Sequence, residues 1–129
     1  SIGKRVNGTA KGTNKSHFLI FDMMKVGDAA AYEAFEAKVL KVHEARVAAG
    51  NISGWSLYKT LYPSSDEVTA NYTTIQSLDK LSKLDEAMAS YAAAIPKALG
   101  ISPEAFMKQI PSKRQMTATM ITTVALSTK

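Results

Sequence analysis

The chain of 129 residues contains no cysteine, which excludes disulfide bridges, thiolate nucleophiles and zinc–thiolate centres together. Histidine is nearly as scarce. His17 opens an apolar run far from any metal-ligand spacing and His43 stands alone in a helical stretch, so no two-histidine metal site is expected. No uninterrupted apolar run approaches the roughly 18 residues of a membrane-spanning helix. Gly8-Thr9-Ala10-Lys11-Gly12 does not sit at a strand-to-helix turn, so it is not read as a phosphate loop, and Ser53-Gly54-Trp55-Ser56 lacks the nucleophile-elbow pattern. No cofactor and no metal are assigned.

What is present suits one folded domain. Apolar residues make up 46% of the chain, enough for a core at a length too short for two ordinary domains. The formal charge of +5 is unevenly spread: Lys4, Arg5, Lys11 and Lys15 fall in residues 1–16 with no acid beside them. The remaining 12 basic side chains face 11 acidic ones, so no concentrated phosphate-binding surface is expected and nucleic acid is not a predicted partner. Residues 1–16 read as a flexible basic tail, and residues 17–129 as a single domain. A first residue of Ser leaves two placements open: periplasmic or secreted if a signal peptide was removed, cytoplasmic otherwise. Asn7-Gly8-Thr9, Asn14-Lys15-Ser16 and Asn71-Tyr72-Thr73 fit the glycosylation sequon, a triplet that chance supplies often.

Along the chain, residues 17–26 carry Phe18-Leu19-Ile20-Phe21 and Met23-Met24, a short apolar run that reads as a strand covered on both faces. Gly27 breaks it and Asp28 can cap a helix that runs to Ala49 and stops at Gly50-Asn51. Residues 52–62 alternate as a strand, with Trp55, Leu57 and Leu61 on one side and Ser56, Tyr58, Thr60 and Tyr62 on the other. Pro63-Ser64-Ser65-Asp66 is turn chemistry, and residues 68–76 return as the second arm of an antiparallel hairpin. A second helix is expected over residues 78–95, striped by Leu81, Leu84, Met88, Tyr91 and Ile95 and closed by Pro96. Ser102-Pro103 starts a short helix ending near Pro111, and residues 116–127 form a Thr- and Val-rich last strand. The order β-α-β-β-α-β is the ferredoxin-like α+β plan: a four-stranded antiparallel sheet with both helices on one face. The first strand is apolar on both sides, so the bare sheet face calls for a partner, most simply a second copy in a homodimer.

The first helix carries the clearest functional hint. At about 100° per residue, Tyr32, Phe35, Val39, Leu40, Val42 and Val47 share one face, and Glu36, His43 and Arg46 intrude on it. Unpaired polar groups on a core-facing stripe cost about 1–3 kcal/mol each. A structural account is available: Arg46 can snorkel to water at the helix C-terminus, Glu36 can pair with it, and His43 can be a hydrogen-bonded core residue. The functional account makes His43 a proton donor or acceptor, with Arg46 holding an anionic or carbonyl group. Tyr32, Glu36, Tyr58, Tyr62 and Tyr72 would then complete a pocket for an apolar or aromatic small molecule.

The order of elements, with Met23-Met24-Lys25-Val26-Gly27, Tyr32, His43, Arg46 and Gly50-Asn51-Ile52-Ser53-Gly54-Trp55, resembles the dimeric α+β barrel superfamily over residues 17–127. The similarity is greatest to small, mostly uncharacterised bacterial members. It implies a dimer whose two sheets close into a barrel, with ligands in the cleft between sheet and helices. The superfamily includes cofactor-free monooxygenases, haem-degrading enzymes and isomerases, so it implies no single activity. The Asn–Trp–His arrangement of the haem-degrading members is not matched around Asn71 and Trp55. Three readings stay open: a homodimeric small-molecule-binding protein, a cofactor-free oxygenase or isomerase using His43, and a structural or interaction protein with no site.

Overall fold

A computed structural model describes residues 2–10, 18–62 and 70–123. The elements in chain order are β1 (Ile2–Gly8), β2 (Phe18–Lys25), α1 (Ala29–Ala48), β3 (Gly54–Tyr62), β4 (Tyr72–Leu78), α2 (Leu84–Leu99), α3 (Pro103–Met107), α4 (Ile110–Lys113) and β5 (Gln115–Thr123). The fold is α+β. Its sheet is antiparallel throughout, in the order β1-β3-β4-β2-β5.

The sheet therefore has five strands where four were expected. The extra one, β1, lies in the segment read as a flexible tail. Ile2–Gly8 pairs with β3 from Ile2 opposite Tyr62 to Gly8 opposite Ser56. Its Gly, Lys and Asn content hides it, because an edge strand gains its stability from backbone pairing more than from apolar side chains. The pairing is locked just past its end. Thr9 is buried, its amide donates to the Trp55 carbonyl (2.9 Å), and its hydroxyl accepts from the Trp55 amide (3.1 Å). Residues 11–17, with His17 and the Asn14 sequon, and the turn at 63–66 lie outside the described residues.

Helix α1 forms where its caps and composition place it. Asp28 accepts from the Ala31 amide, and the chain leaves the helix through Gly50 at φ 79°, a left-handed conformation that glycine adopts without strain. Its buried residues are Tyr32, Phe35, Glu36, Val39, Val42, His43 and Arg46, the stripe with its three polar intruders. Helix α2 begins later than the stripe suggests. Leu78 ends β4, a single 3-10 turn spans Leu81–Lys83, and Leu81 is exposed. Pro96 does not stop α2; the helix continues to Leu99 and ends on Gly100 at φ 71°.

Alternation divides the sheet. Ile20, Met24, Trp55, Leu57, Tyr72 and Leu78 are buried on the face under the helices, and Val39, Val42, Phe35, Ile95 and Phe106 form a second cluster. On the other face, Leu19, Phe21, Met23, Tyr58 and Ile75 are only partly covered. Strand β5 is exposed along nearly all of its length, including Met116, Met120 and Ile121. Leu61, placed by alternation on the same side as Trp55 and Leu57, is exposed near the β3 end. The Asn71 sequon is occupied structurally: its amide accepts from the Val26 N–H and donates to the Val26 carbonyl, both at 2.8 Å.

Replacing Thr9 by Val removes a buried hydroxyl that bonds Trp55 from both sides. Urea unfolding should show a loss of about 1–3 kcal/mol for Thr9→Val and a much smaller loss for Thr9→Ser. Equal stability of wild type and Thr9→Val would mean that β1 contributes little to the sheet.

Candidate functional site

The five strands are wider than the two long helices, and a cavity of about 530 Å³ remains between them. Its floor comes from β2, β4 and β5 (Ile20, Asp22, Thr74, Gln76, Thr119, Ile121), with Trp55 of β3 at one end. Glu36, His43 and Arg46 of α1 form one wall, and Leu84, Met88, Tyr91 and Ala92 of α2 another. Met107, Ile110, Arg114 and Met116 close the side. Met88, Met107 and Met116 are all exposed, so the mouth is rimmed by flexible, polarizable thioethers.

Arg46 does not snorkel. It is 1% exposed, and its guanidinium is consumed by the protein. Nε donates to Ser90 Oγ at 2.9 Å, Nη1 reaches His43 Nδ1 at 3.0 Å, and Nη2 donates to Gln76 Oε1 at 2.6 Å and to the Ala87 carbonyl at 2.7 Å. The Tyr91 ring lies 5.4 Å from its Cζ, within cation–π range. Burial brings its pKa down to about 10, which still leaves it charged at neutral pH. No carboxylate pairs with it among the described residues, and Glu36 does not supply one.

His43 is oriented by that arginine. Arginine only donates hydrogen bonds, so Nδ1 must carry a lone pair and the ring proton sits on Nε2. The ring stacks on Trp55, centroids 4.1 Å apart and planes 15° from parallel, a contact worth about 0.5–1.5 kcal/mol beyond area burial. Burial, and then the charges of Arg46 and Arg114, hold its pKa well below the ordinary 6.5. His43 is therefore a neutral imidazole at the cavity wall that donates through Nε2–H. To serve as a base, it would need to take a second proton between two arginines.

Glu36 behaves differently. It is 3% exposed, and Oε2 accepts from the Tyr32 hydroxyl at 2.7 Å. Burial raises its pKa above 4.5, against the opposing effects of that hydrogen bond and of Arg114. Tyr32 in turn is held far above the usual phenol range, first by burial and then by Glu36. The Tyr91 hydroxyl is pushed up to about 12 for similar reasons.

The structure thus gathers Glu36, His43 and Arg46 at one cavity, with Tyr32 immediately behind Glu36. Of the other tyrosines expected at the site, Tyr58 and Tyr72 lie elsewhere. Tyr72 is fully buried in the core, edge-on to Tyr32, with its hydroxyl bonded to Glu33. Tyr58 lies on the opposite sheet face, because the alternation that puts Trp55 under the helices turns Tyr58 away. The side chain of Tyr62 lies outside the described residues. Arg114, Asp22 and the methionine mouth were not anticipated. Met88 looked like core because it continues the α2 stripe, yet it is 61% exposed. Arg114 lies between a Pro-containing turn and a strand, where no periodicity assigns a face.

Two outcomes follow from these environments. Arg46→Leu strands the Gln76 acceptor and should cost about 3 kcal/mol in urea unfolding; Arg46→Lys should recover less than half, because one ammonium cannot reach acceptors on α1, α2 and β4 together. The pH outcome depends on opposing signs. His43 has a depressed folded pKa, so its contribution is present above pH 6.5 and is lost as pH falls below it. Glu36 has a raised folded pKa, so its contribution is present below pH 4.5 and is lost as pH rises above it. In the shared window the two slopes offset each other. Glu36→Gln removes one of them, so its stability should fall more steeply than that of wild type on acidification from pH 6.5, by up to about 1.4 kcal/mol per pH unit. Parallel curves would show that Glu36 does not titrate abnormally.

No family model matches the chain and no curated protein matches it, so the functional reading rests on the geometry of the cavity.

Proposed function

We propose that this protein binds a compact, largely apolar or aromatic small molecule in the cavity between α1, α2 and the sheet, and does so as a homodimer of ferredoxin-like subunits that pair through the uncovered sheet face. One observation carries the binding reading: an apolar cavity of about 530 Å³ into which buried polar side chains converge. Volumes of roughly 300–1,000 Å³ with a few convergent polar groups are the usual form of small-molecule sites. His43 Nε2–H and the Glu36 carboxyl would orient the ligand, Trp55 and Tyr91 would supply ring faces, and the methionines would adapt to its outline.

The dimer reading is supported by the partly covered residues Leu19, Phe21, Met23 and Ile75, and by Met120 of the exposed edge strand β5, which lies opposite Phe21 on the same face. A long apolar edge is an aggregation hazard unless something covers it. A second copy offers the same surface, which a two-fold axis makes self-complementary, as in the dimeric α+β barrels. Proton-transfer catalysis is a second reading, as in an isomerase or a cofactor-free oxygenase. It is favoured by Glu36, a buried carboxyl of raised pKa at the cavity that would carry the acid/base role, with the neutral His43 giving a hydrogen bond through Nε2–H.

The neutral fluorophore N-phenyl-1-naphthylamine should bind wild type with enhanced emission. Ala92→Trp, which fills part of the cavity, should weaken binding at least tenfold with an unchanged circular dichroism spectrum. Undiminished binding to Ala92→Trp, or none to wild type, overturns the cavity reading. Native mass spectrometry should give twice the chain mass; a monomer overturns the dimer.

A further inference from the structure

Resting on the cavity reading, we infer that the ligand is an organic anion, an apolar or aromatic body bearing one carboxylate, sulfonate or comparably acidic group, and that Arg114 is the residue that holds that group. The inference moves the anion anchor from Arg46 to a different arginine.

Arg46 has little left to offer. Four of its five N–H groups are committed to Ser90, His43, Gln76 and the Ala87 carbonyl. Pulling it toward a ligand would break bonds to three elements at once. Arg114 is in the opposite condition. It is half-buried and lines the same cavity, and among the described residues its side chain makes one hydrogen bond, from Nη1 to the Met24 thioether at 3.2 Å. A thioether is a weak acceptor, and no carboxylate lies within ion-pair distance of Arg114 among the described residues. Most donors of its guanidinium fork are uncommitted among the described residues.

Its position is central. Met24 Sδ is approached by both Arg114 and the Tyr32 hydroxyl, the latter at 3.1 Å, so Arg114 is linked through Met24 and Tyr32, behind the wall, to Glu36. The charge of Arg114 is felt at Glu36, His43 and Tyr91 as well as Tyr32. A half-buried cation facing an apolar cavity, with no carboxylate in ion-pair contact among the described residues, favours a ligand that supplies a counter-charge, and the planar fork matches a carboxylate or sulfonate bidentately. The cavity is not positive throughout, because Asp22 and Asp85 also border it. Asp22 is engaged by the Thr119 hydroxyl at 2.8 Å, on the β5 side. The anionic end is therefore directed to Arg114 specifically, with the apolar body lying toward Trp55 and Ile20.

Two probes share a ring skeleton and differ by one sulfonate: 1-anilinonaphthalene-8-sulfonate and neutral N-phenyl-1-naphthylamine. Wild type should bind the sulfonate about tenfold or more tightly than the neutral probe. Arg114→Gln should abolish that preference, the sulfonate losing at least tenfold more affinity than the neutral probe, and Arg114→Lys should restore part of it. On wild type alone, decanoate should displace the neutral probe at lower concentration than decanol, a measurement that stands even if Arg114→Gln does not fold. Equal binding of the two probes, equal competition by decanoate and decanol, or a sulfonate preference that survives Arg114→Gln would overturn the anion assignment while leaving the cavity reading intact. If neither probe binds wild type, the cavity reading fails and the assignment fails with it.

Discussion

Arg46 leaves α1 near its last turn, runs inward, and ends against acceptors on α1, α2 and β4. A buried cation with only neutral partners has a high desolvation cost, offset here because nearly every donor of the guanidinium finds an oxygen or nitrogen in a fixed direction. Hydrophobic contacts alone would allow α1 and α2 to slide on the sheet by a fraction of a turn. These directional bonds do not, and the α1–α2–sheet geometry depends on them. They also choose the tautomer of His43 and seat its ring on Trp55, so the same residue that orders the core orders the cavity wall.

The cavity is a consequence of that arrangement. The two long helices pack on each other through Phe35, Val39, Val42 and Ile95, and cannot also cover five strands. On the helix-facing side, the part of the sheet near β2 and β5 is roofed by the edge of α2 and by the short helices α3 and α4, which bring Met107, Ile110 and Arg114 to the cavity border. Its ionisable groups are pushed away from their ordinary behaviour in opposite directions. His43 is held neutral beside cations, and Glu36 is pushed toward its protonated form against the opposing charge of Arg114. Burial is the largest cause in both cases, and it acts with opposite sign on an acid and a base.

Much of the scaffold is legible from local rules. The cap at Asp28, the stop at Gly50 and the apolar stripe of α1 each depend on a few neighbouring residues, and all three are found as expected. The three polar intruders were legible as an anomaly, because an apolar stripe interrupted by Glu36, His43 and Arg46 must resolve somehow. How it resolves was not legible: Gln76 and Ser90, the acceptors of Arg46, are 30 and 44 residues away. Strand β1 escaped because its side chains carry little of its stability, and the exposure of Met88 because helical spacing marks a stripe without saying what faces it.

The sequence by itself determined the order of the main helices and strands from β2 to β5, the apolar face of α1 and the identity of the residues that break it, because these follow from short-range periodicity, capping and turn chemistry. Only the tertiary structure decided that Arg46 is consumed by the core while Arg114 is left facing the cavity, and that Tyr58 and Tyr72 are kept from it. Whether a charged group is satisfied depends on acceptors brought near by the fold from distant parts of the chain, and on burial, which no local pattern encodes.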